Sequence, residues 1–108
     1  MAADQVPAKN MGVYENFFGR KAYTTNLIPS LHSKTKAPIV SVAMHSDSHT
    51  NQLYIRYGSK SAYKEKSQYN AKTMNKEIEN IININPEDYN WEYKRFKKQE
   101  VEDRSIYK

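Results

Sequence analysis

The stretch that decides the fold is Ala37-Pro38-Ile39-Val40-Ser41-Val42-Ala43-Met44, residues 37–44. Its centre is β-branched and uncharged, with little alternation between polar and apolar residues. Such a run is typical of a strand that is buried on both faces, as in the interior of an α/β sheet. We therefore predict a strand over residues 38–44, in a sheet flanked by helices. The polar residues 45–51 that follow predict a loop.

Working outward, the residues beyond that loop predict a second strand. Residues 52–57 alternate between two faces, and one face carries Leu53, Ile55 and Tyr57. Alternation with a period of two indicates a half-buried strand, so we expect it to pair antiparallel with the first strand and to lie nearer an edge. Further upstream, residues 13–18 predict a short strand or a packed loop that ends at Gly19.

Apolar residues at helical spacing predict helices on both sides of these strands. Residues 23–35 carry one apolar stripe, but Pro29 lies within it. A proline in a helix interior costs about 3 kcal/mol, so this helix is either kinked or begins near Pro29. Residues 67–84 form a second helix that Pro86 stops, with Glu77 and Glu79 on other faces. Its stripe is Tyr69, Met74, Ile78, Ile81 and Ile82.

A third helix is predicted to begin at residues 85–88. Asn85 is a suitable N-cap, and Pro86 would occupy the first helical position. A continuous helix would place Trp91 and Arg95 on one face, four residues apart. The run Lys94-Arg95-Phe96-Lys97-Lys98 would also suit a helix lying on an anionic lipid surface.

Composition excludes several classes of function. The chain has 108 residues, which allows one small domain. It contains no cysteine, so disulfides, thiolate metal sites and cysteine nucleophiles are excluded, and its 3 glycines exclude a glycine-rich phosphate loop. No apolar run approaches the length of a bilayer span, and the N-terminus carries no signal peptide. The net charge of +5 permits attraction to anionic lipid or nucleic acid without selecting between them.

Three collinear segments resemble the late acyltransferases of lipid A biosynthesis, the lauroyl and myristoyl type. The first runs from Asp4-Gln5 through Phe17-Phe18-Gly19-Arg20 to Tyr23-Thr24, and the second is Ala37 to Val42. The third is Asn85-Pro86-Glu87-Asp88-Tyr89-Asn90-Trp91-Glu92-Tyr93-Lys94-Arg95-Phe96-Lys97, which is similar to the family pattern Pro-Glu-Gln-Tyr-x-Trp-x-x-x-Arg-Phe-Lys. The resemblance covers residues 2–98. We therefore assign 1–98 to the acyltransferase domain and 99–108 to a charged, frayed tail.

The resemblance implies an activity and a set of substrate-binding residues. Family members transfer a fatty acyl group from acyl carrier protein to a hydroxyl of a lipid A precursor, at the cytoplasmic face of the bacterial inner membrane. Six residues are then expected to bind substrate: Asp4, Gln5, Phe17, Phe18, Arg20 and Arg95. The first two would line the acyl-transfer cleft, the phenylalanines would wall the acyl-chain pocket, and the arginines would face phosphate. The alternative for each is structural, and for Arg95 we favour a buried pair with a carboxylate.

The catalytic signature of the family is absent from this sequence. Family members use a His-x-x-x-x-Asp/Glu motif, in which the histidine is the general base. The residues five positions after His32, His45 and His49 are Ala37, Thr50 and Tyr54. We therefore predict no catalytic residue, no cofactor and no activity for the chain alone. We interpret it as the C-terminal half of an acyltransferase-like mixed sheet, incomplete as an independent domain.

Two alternatives remain open. A small basic nucleic-acid-binding domain would use positive charge and aromatic stacking, but the charge is evenly spread, and we expect no nucleic acid partner. A partner subunit would associate with a separately encoded N-terminal half through its open sheet edge.

The segment His45-Ser46-Asp47-Ser48-His49 suggests a metal site or a His–Asp pair, but no third strong ligand is nearby. We therefore predict no metal site there.

Overall fold

The computed structural model describes residues 2–47, 49, 52–57 and 69–98. Its elements are β1 (Gly12–Phe17), β2 (Arg20–Thr25), α1 (Leu27–Thr35), β3 (Val42–Asp47), β4 (Gln52–Tyr57) and α2 (Ala71–Ile84), followed by the 3-10 turn Pro86–Asp88. Two antiparallel sheets are described, β1–β2 and β3–β4, each with two strands. The fold is therefore a mixed α/β arrangement, as the sequence predicted. The predicted tail, residues 99–108, lies outside the described residues.

The first hairpin turns at Phe18 and Gly19. Phe17 pairs with Arg20, so two residues form the loop, and their φ angles are +47° and +75°. Two positive φ angles define the type I′ turn, whose twist matches that of antiparallel strands. Of the two alternatives for residues 13–18, the short strand is correct, and it runs from Gly12 to Phe17. Strand β2 was not predicted, and assigning residues 23–25 to a helix was wrong, because pairing with β1 buries Ala22 to Thr25.

Helix α1 begins four residues later than predicted. Pro29 is its third residue, within the first turn, where backbone N–H groups have no partner in the helix. Of the two alternatives for this proline, a start near Pro29 is therefore correct. The helix ends at Thr35. Its C-cap residue, Lys36, adopts the left-handed conformation with φ of +57° and donates its N–H to the His32 carbonyl at 2.8 Å.

The second hairpin confirms the predicted antiparallel pairing but shifts the first strand. Strand β3 begins at Val42 and continues to Asp47, where a loop was predicted. Val42 pairs with Tyr57 and Asp47 with Gln52. Val40, Val42 and Met44 are 55%, 57% and 62% exposed, so the predicted burial of this segment on both faces is wrong here. The reason is that the described residues cover only the opposite side, on which His45 is buried.

Helix α2 packs against the first hairpin and forms the core with it. The Asn70 side chain caps its first turn by accepting the Thr73 N–H at 2.9 Å. Helix α2 ends at Ile84 because Pro86 cannot continue a helix. The core contains side chains from the hairpin, α2 and the C-terminal segment: Phe17, Ala22, Ile78, Ile82, Tyr89 and Phe96.

The predicted third helix is wrong beyond its first turn. After the turn Pro86–Asp88, residues 89–98 run through successive turns. Asn85 does not cap a helix, because its side-chain amide donates to Asp88 Oδ2 at 2.8 Å. The indole of Trp91 donates to the Pro86 carbonyl at 2.7 Å, which closes the segment back on itself. Among the described residues, no helix is long and apolar enough to cross a membrane.

Candidate functional site

The principal candidate site is an apolar cleft of about 330 Å³. It lies between the N-terminal segment, helix α1, the stretch leading into β3, helix α2 and the C-terminal segment. Its lining residues are Ala2, Ala3, Asp4, Ile28, Ile39, Val40, Ser41, Val42, Ala43, Tyr69, Met74, Ile78, Ile81, Ile82 and Tyr89. Small-molecule pockets span roughly 300–1,000 Å³, so the cleft is large enough for a slender apolar group.

Helix α2 supplies one wall of the cleft. Met74, Ile78, Ile81 and Ile82 follow one another at spacings of four, three and one residues, which places them on one helix face. All four belong to the stripe that the sequence predicted, and so does Tyr69, which precedes the helix. The predicted stripe is therefore confirmed, and it borders the cleft.

Asp4 is the predicted site residue that the structure places on the cleft. Its side chain is half-buried among the lining residues, whereas the adjacent Gln5 is exposed. The backbone around Asp4 is held from the C-terminal segment, because the Val6 N–H donates to the Tyr93 hydroxyl at 2.8 Å. The Lys98 ammonium also donates to the Pro7 carbonyl at 2.7 Å. The roles of Asp4 and Gln5 in acyl transfer stay predictions.

The two predicted phenylalanines occupy different environments. Phe17 is 1% exposed and packs on Ile78, Ile82 and Tyr89, which also line the cleft, so it supports the cleft from behind. Phe18 is at the hairpin turn and is 38% exposed. Its ring centroid lies 5.9 Å from that of Trp91, and Phe18 is not among the residues that line the cleft.

The two predicted arginines are also separated. Arg20 is exposed beside the hairpin turn, whereas Arg95 is 2% exposed. The Arg95 guanidinium donates through Nη1 to the Tyr23 carbonyl at 2.7 Å and through Nη2 to Thr24 Oγ1 at 2.9 Å. A longer bond of 3.5 Å reaches Asn75 Oδ1. These bonds support the structural interpretation of Arg95, and the acceptors they use are a carbonyl, a hydroxyl and an amide.

Arg95 and Asn75 together form a buried polar network that we call the arginine clamp. Asn75 donates to Thr24 Oγ1 at 2.9 Å and to the Asn16 carbonyl at 3.1 Å. Arg95 also lies over the Phe17 ring, 5.2 Å from its centroid. The clamp joins both strands of the first hairpin, helix α2 and the C-terminal segment. At 2% exposure, the Arg95 guanidinium is shielded from the solvent from which a phosphate group would approach.

Trp91 does not share a face with Arg95. It is 58% exposed and packs edge-on against Tyr89, with ring centroids 4.7 Å apart. The predicted pair on one helix face is therefore wrong, because no helix forms over residues 89–98. The expectation of a lipid-facing helix over Lys94 to Lys98 fails for the same reason.

His45 pairs with a residue from another element. It is 3% exposed, and its Nδ1 lies 3.5 Å from Asp88 Oδ2. Asp88 also accepts the Ser46 backbone N–H and hydroxyl, both at 2.7 Å, and these bonds lower the pKa of Asp88. The arrangement fixes the second hairpin to the turn Pro86–Asp88. Within the described residues, no three His, Cys, Asp or Glu side chains are arranged to hold a metal ion.

Sequence reasoning missed a buried polar cluster beside the cleft. Glu77 is 5% exposed, although it was assigned to another face of its helix. Burial raises its pKa, and hydrogen bonds from the Ser41 and Tyr69 hydroxyls partly offset that effect. Burial and the neighbouring Glu77 also raise the pKa of Tyr69. The sequence did indicate this burial, since Glu77 lies three residues after Met74 and four before Ile81, at the border of the apolar stripe.

Comparison with known proteins identifies the class that this fold and cleft belong to. The family model of bacterial lipid A biosynthesis acyltransferases matches residues 1–98. Because the match covers nearly the whole chain, the protein belongs to this family of acyltransferases. A search of curated proteins gave no significant match.

Proposed function

We propose that this chain provides the acyl-chain-binding wall of a lipid A biosynthesis acyltransferase. The observation that carries the proposal is the cleft of about 330 Å³, whose walls are mostly aliphatic and which has Asp4 among its lining. An alkyl chain in such a cleft gains about 0.8 kcal/mol for each buried methylene. Asp4 then provides a polar group where the head of the chain would meet the acceptor.

The proposed reaction passes a fatty acyl group from acyl carrier protein to a hydroxyl of a lipid A precursor. That step needs a general base to take the proton of the attacking hydroxyl. The 108 residues contain no His-x-x-x-x-Asp/Glu motif to provide one. We therefore propose that the chain alone binds the acyl group without transferring it. Acyl transfer by the purified chain, above a protein-free background, would contradict this part of the proposal.

Binding is tested with acyl-pantetheine thioesters, which carry the acyl group as the carrier protein does. We expect chemical shifts of cleft residues to change in NMR titrations. Four extra methylenes, from a six-carbon to a ten-carbon chain, add up to about 3 kcal/mol, or roughly 100-fold in affinity. Thioesters that leave the cleft resonances unchanged, or that bind independently of chain length, would refute the proposal.

A matched pair of variants places binding in the cleft. Ile78→Trp fills it from helix α2, and we expect affinity for the ten-carbon thioester to fall at least tenfold. Ile84→Trp is the control, because Ile84 is on the same helix but is 50% exposed and does not line the cleft. Equal binding by both variants, each shown to be folded by circular dichroism, would place the acyl site elsewhere.

The proposed location is the cytoplasmic face of the bacterial inner membrane. The chain carries a net charge of +5, which favours contact with anionic lipid headgroups. We expect it to sediment with vesicles that contain anionic phospholipid and to be released by salt, whereas vesicles of neutral phospholipid alone should not bind it. Salt-insensitive binding to both kinds of vesicle would argue against an electrostatic contact.

A further inference from the structure

Exposed aromatic side chains meet at the turn of the first hairpin. Phe18 is 38% exposed and Trp91 is 58% exposed, and their ring centroids lie 5.9 Å apart. Trp91 also packs edge-on against Tyr89, and Phe18 packs edge-on against the buried Phe17, with centroids 4.9 Å apart. These contacts fix both exposed rings to the protein behind them. We call Phe18 and Trp91 the aromatic tip.

Two hydrogen-bond donors of the aromatic tip already have partners within the chain. The indole Nε1–H of Trp91 donates to the Pro86 carbonyl at 2.7 Å, and the backbone N–H of Phe18 donates to Glu79 Oε1 at 2.7 Å. The Glu79 carboxylate also lies 3.4 Å from the Lys76 ammonium, which offsets its charge. Burying a polar group is costly when it has no hydrogen bond. The tip can therefore leave water while both donors keep their acceptors.

The size of the aromatic tip indicates what kind of partner it fits. A large aromatic side chain has about 150–250 Å² of surface, so two rings that are partly exposed present roughly 200 Å². A stable protein–protein interface buries about 800 Å² on each partner, which is about four times as much. A bilayer surface needs no such area, because aromatic rings that enter the headgroup region add to an electrostatic attraction.

The charges around the aromatic tip agree with a lipid partner. Exposed residues of both signs flank it, with Arg20, Lys21 and Lys94 on the positive side and Glu87, Asp88 and Glu92 on the negative side. These charges balance, so a strongly charged protein would find no complementary surface at the tip. The chain as a whole carries +5, which attracts it to an anionic bilayer without repulsion at the tip.

We propose that the aromatic tip inserts into the headgroup region of an anionic phospholipid bilayer and is the point at which the chain contacts the membrane. This inference rests on the proposed function, which places the chain at a membrane but assigns the attraction to net charge alone. The net charge brings the chain to the bilayer, and the rings of Phe18 and Trp91 then leave water at the level of the headgroups. The turn of the first hairpin therefore faces the lipid.

Trp91 is the single tryptophan of the chain, so its fluorescence reports on the aromatic tip directly. The test adds vesicles of phosphatidylglycerol and phosphatidylcholine to the 108-residue chain at low salt. We expect the Trp91 emission to shift to shorter wavelength as the chain binds, because the indole moves from water into the headgroup region. Lipids that carry bromine atoms near the headgroup end of their acyl chains should quench that emission. The same samples are sedimented to measure how much of the chain is bound.

A matched pair of variants tests whether the contact lies at the aromatic tip. Phe18→Asn removes one ring and suits the turn, because φ at this position is +47° and asparagine followed by glycine is preferred in a type I′ turn. We expect its affinity for the vesicles to fall by about threefold to tenfold, since the exposed part of the ring no longer leaves water. Leu31→Gln is the control, because Leu31 is 48% exposed but belongs to helix α1, and it should bind as the unmodified chain does.

The outcomes separate this inference from the proposed function. A chain that sediments with the vesicles while its Trp91 emission stays unshifted and unquenched would overturn the inference and leave the proposed location intact. Equal affinity of Phe18→Asn and the unmodified chain would also overturn it. A shift to shorter wavelength that depends on protein concentration without vesicles would identify a second copy of the chain as the partner instead. Failure to sediment with anionic vesicles would refute both the tip and the proposed location, whereas thioester binding tests the cleft independently.

Discussion

The arginine clamp gives a sharp prediction for stability. Replacing Arg95 with methionine keeps most of the aliphatic volume but removes the bonds to Tyr23, Thr24 and Asn75. A hydrogen bond to a charged group contributes about 1.5–3 kcal/mol, and two of the three are short. Because the acceptors stay buried without their donor, we expect Arg95→Met to destabilise the fold by about 3–5 kcal/mol, the contribution of the two short bonds.

That loss is large for a chain of this size. Domains are stable by about 5–15 kcal/mol in total, so the variant would keep at best part of its stability. With a urea dependence of roughly 1–3 kcal/mol per molar, the midpoint of urea unfolding should fall by about 2 M. The measurement is urea unfolding followed by circular dichroism, with Lys72→Met as the control for removing a cation from an exposed helix position.

Arg95→Lys separates the charge from the geometry of the side chain. Lysine keeps the positive charge but lacks the planar fork that reaches the Tyr23 carbonyl and Thr24 Oγ1 together, so we expect an intermediate loss. An Arg95→Met midpoint within about 0.3 M of the unmodified chain would refute the clamp as a stabilising network. An unchanged Arg95→Lys would show that charge alone matters.

Further predictions concern the first hairpin, the second hairpin and helix α2. Gly19→Ala should cost about 1 kcal/mol in thermal unfolding, because φ there is +75° although the space beside it is open. The hydrogen bonds from Ser46 lower the pKa of Asp88. Their contribution to the stability of the fold is therefore complete above the ordinary aspartate pKa near 3.9, and it is lost as the pH falls through the lowered pKa. Asp88→Asn should therefore flatten the acid side of the melting-temperature profile, and an unchanged profile would contradict this. Asn70→Ala should cost about 1 kcal/mol in urea unfolding, because it removes the cap on Thr73, while Asn80→Ala, at an exposed site on the same helix, should not.

Local signals explain which elements could be predicted from the sequence. Helix α2 was predictable because its stripe, its end before Pro86 and its amphipathic period all agree. The second hairpin was predictable from alternation in residues 52–57. Strand β2 was not, because Tyr23 to Thr25 satisfy both a helical spacing and a strand, and only pairing with β1 decides between them.

The C-terminal segment shows where local signals mislead. Asn85 and Pro86 favour the start of a helix, but tertiary contacts determine the backbone conformation after one turn. If the helix continued, one short helix would have to place Arg95 beside Thr24 and Tyr93 beside Val6. The turns of residues 89–98 instead let each side chain reach its own partner. Such long-range partners leave no periodic pattern in the sequence.

The same limit applies to the candidate site. The resemblance led to Asp4, which the structure places on the cleft, but it gave no reason to single out Glu77. A charged residue beside an apolar stripe is normally solvated, and only its 5% exposure in the structure shows otherwise. A functional group whose chemistry depends on burial can therefore be recognised in the structure when the sequence alone does not reveal it.

The C-terminal segment contacts elements that form the cleft. Arg95 holds the first hairpin and α2 together, and α2 forms one wall of the cleft. Tyr93 and Lys98 hold the backbone at Val6 and Pro7, close to the cleft-lining residues at the N-terminus. Neither Arg95, Tyr93 nor Lys98 lines the cleft. The C-terminal segment therefore lines the cleft through Tyr89 and, through Arg95, Tyr93 and Lys98, holds together elements that carry its other walls.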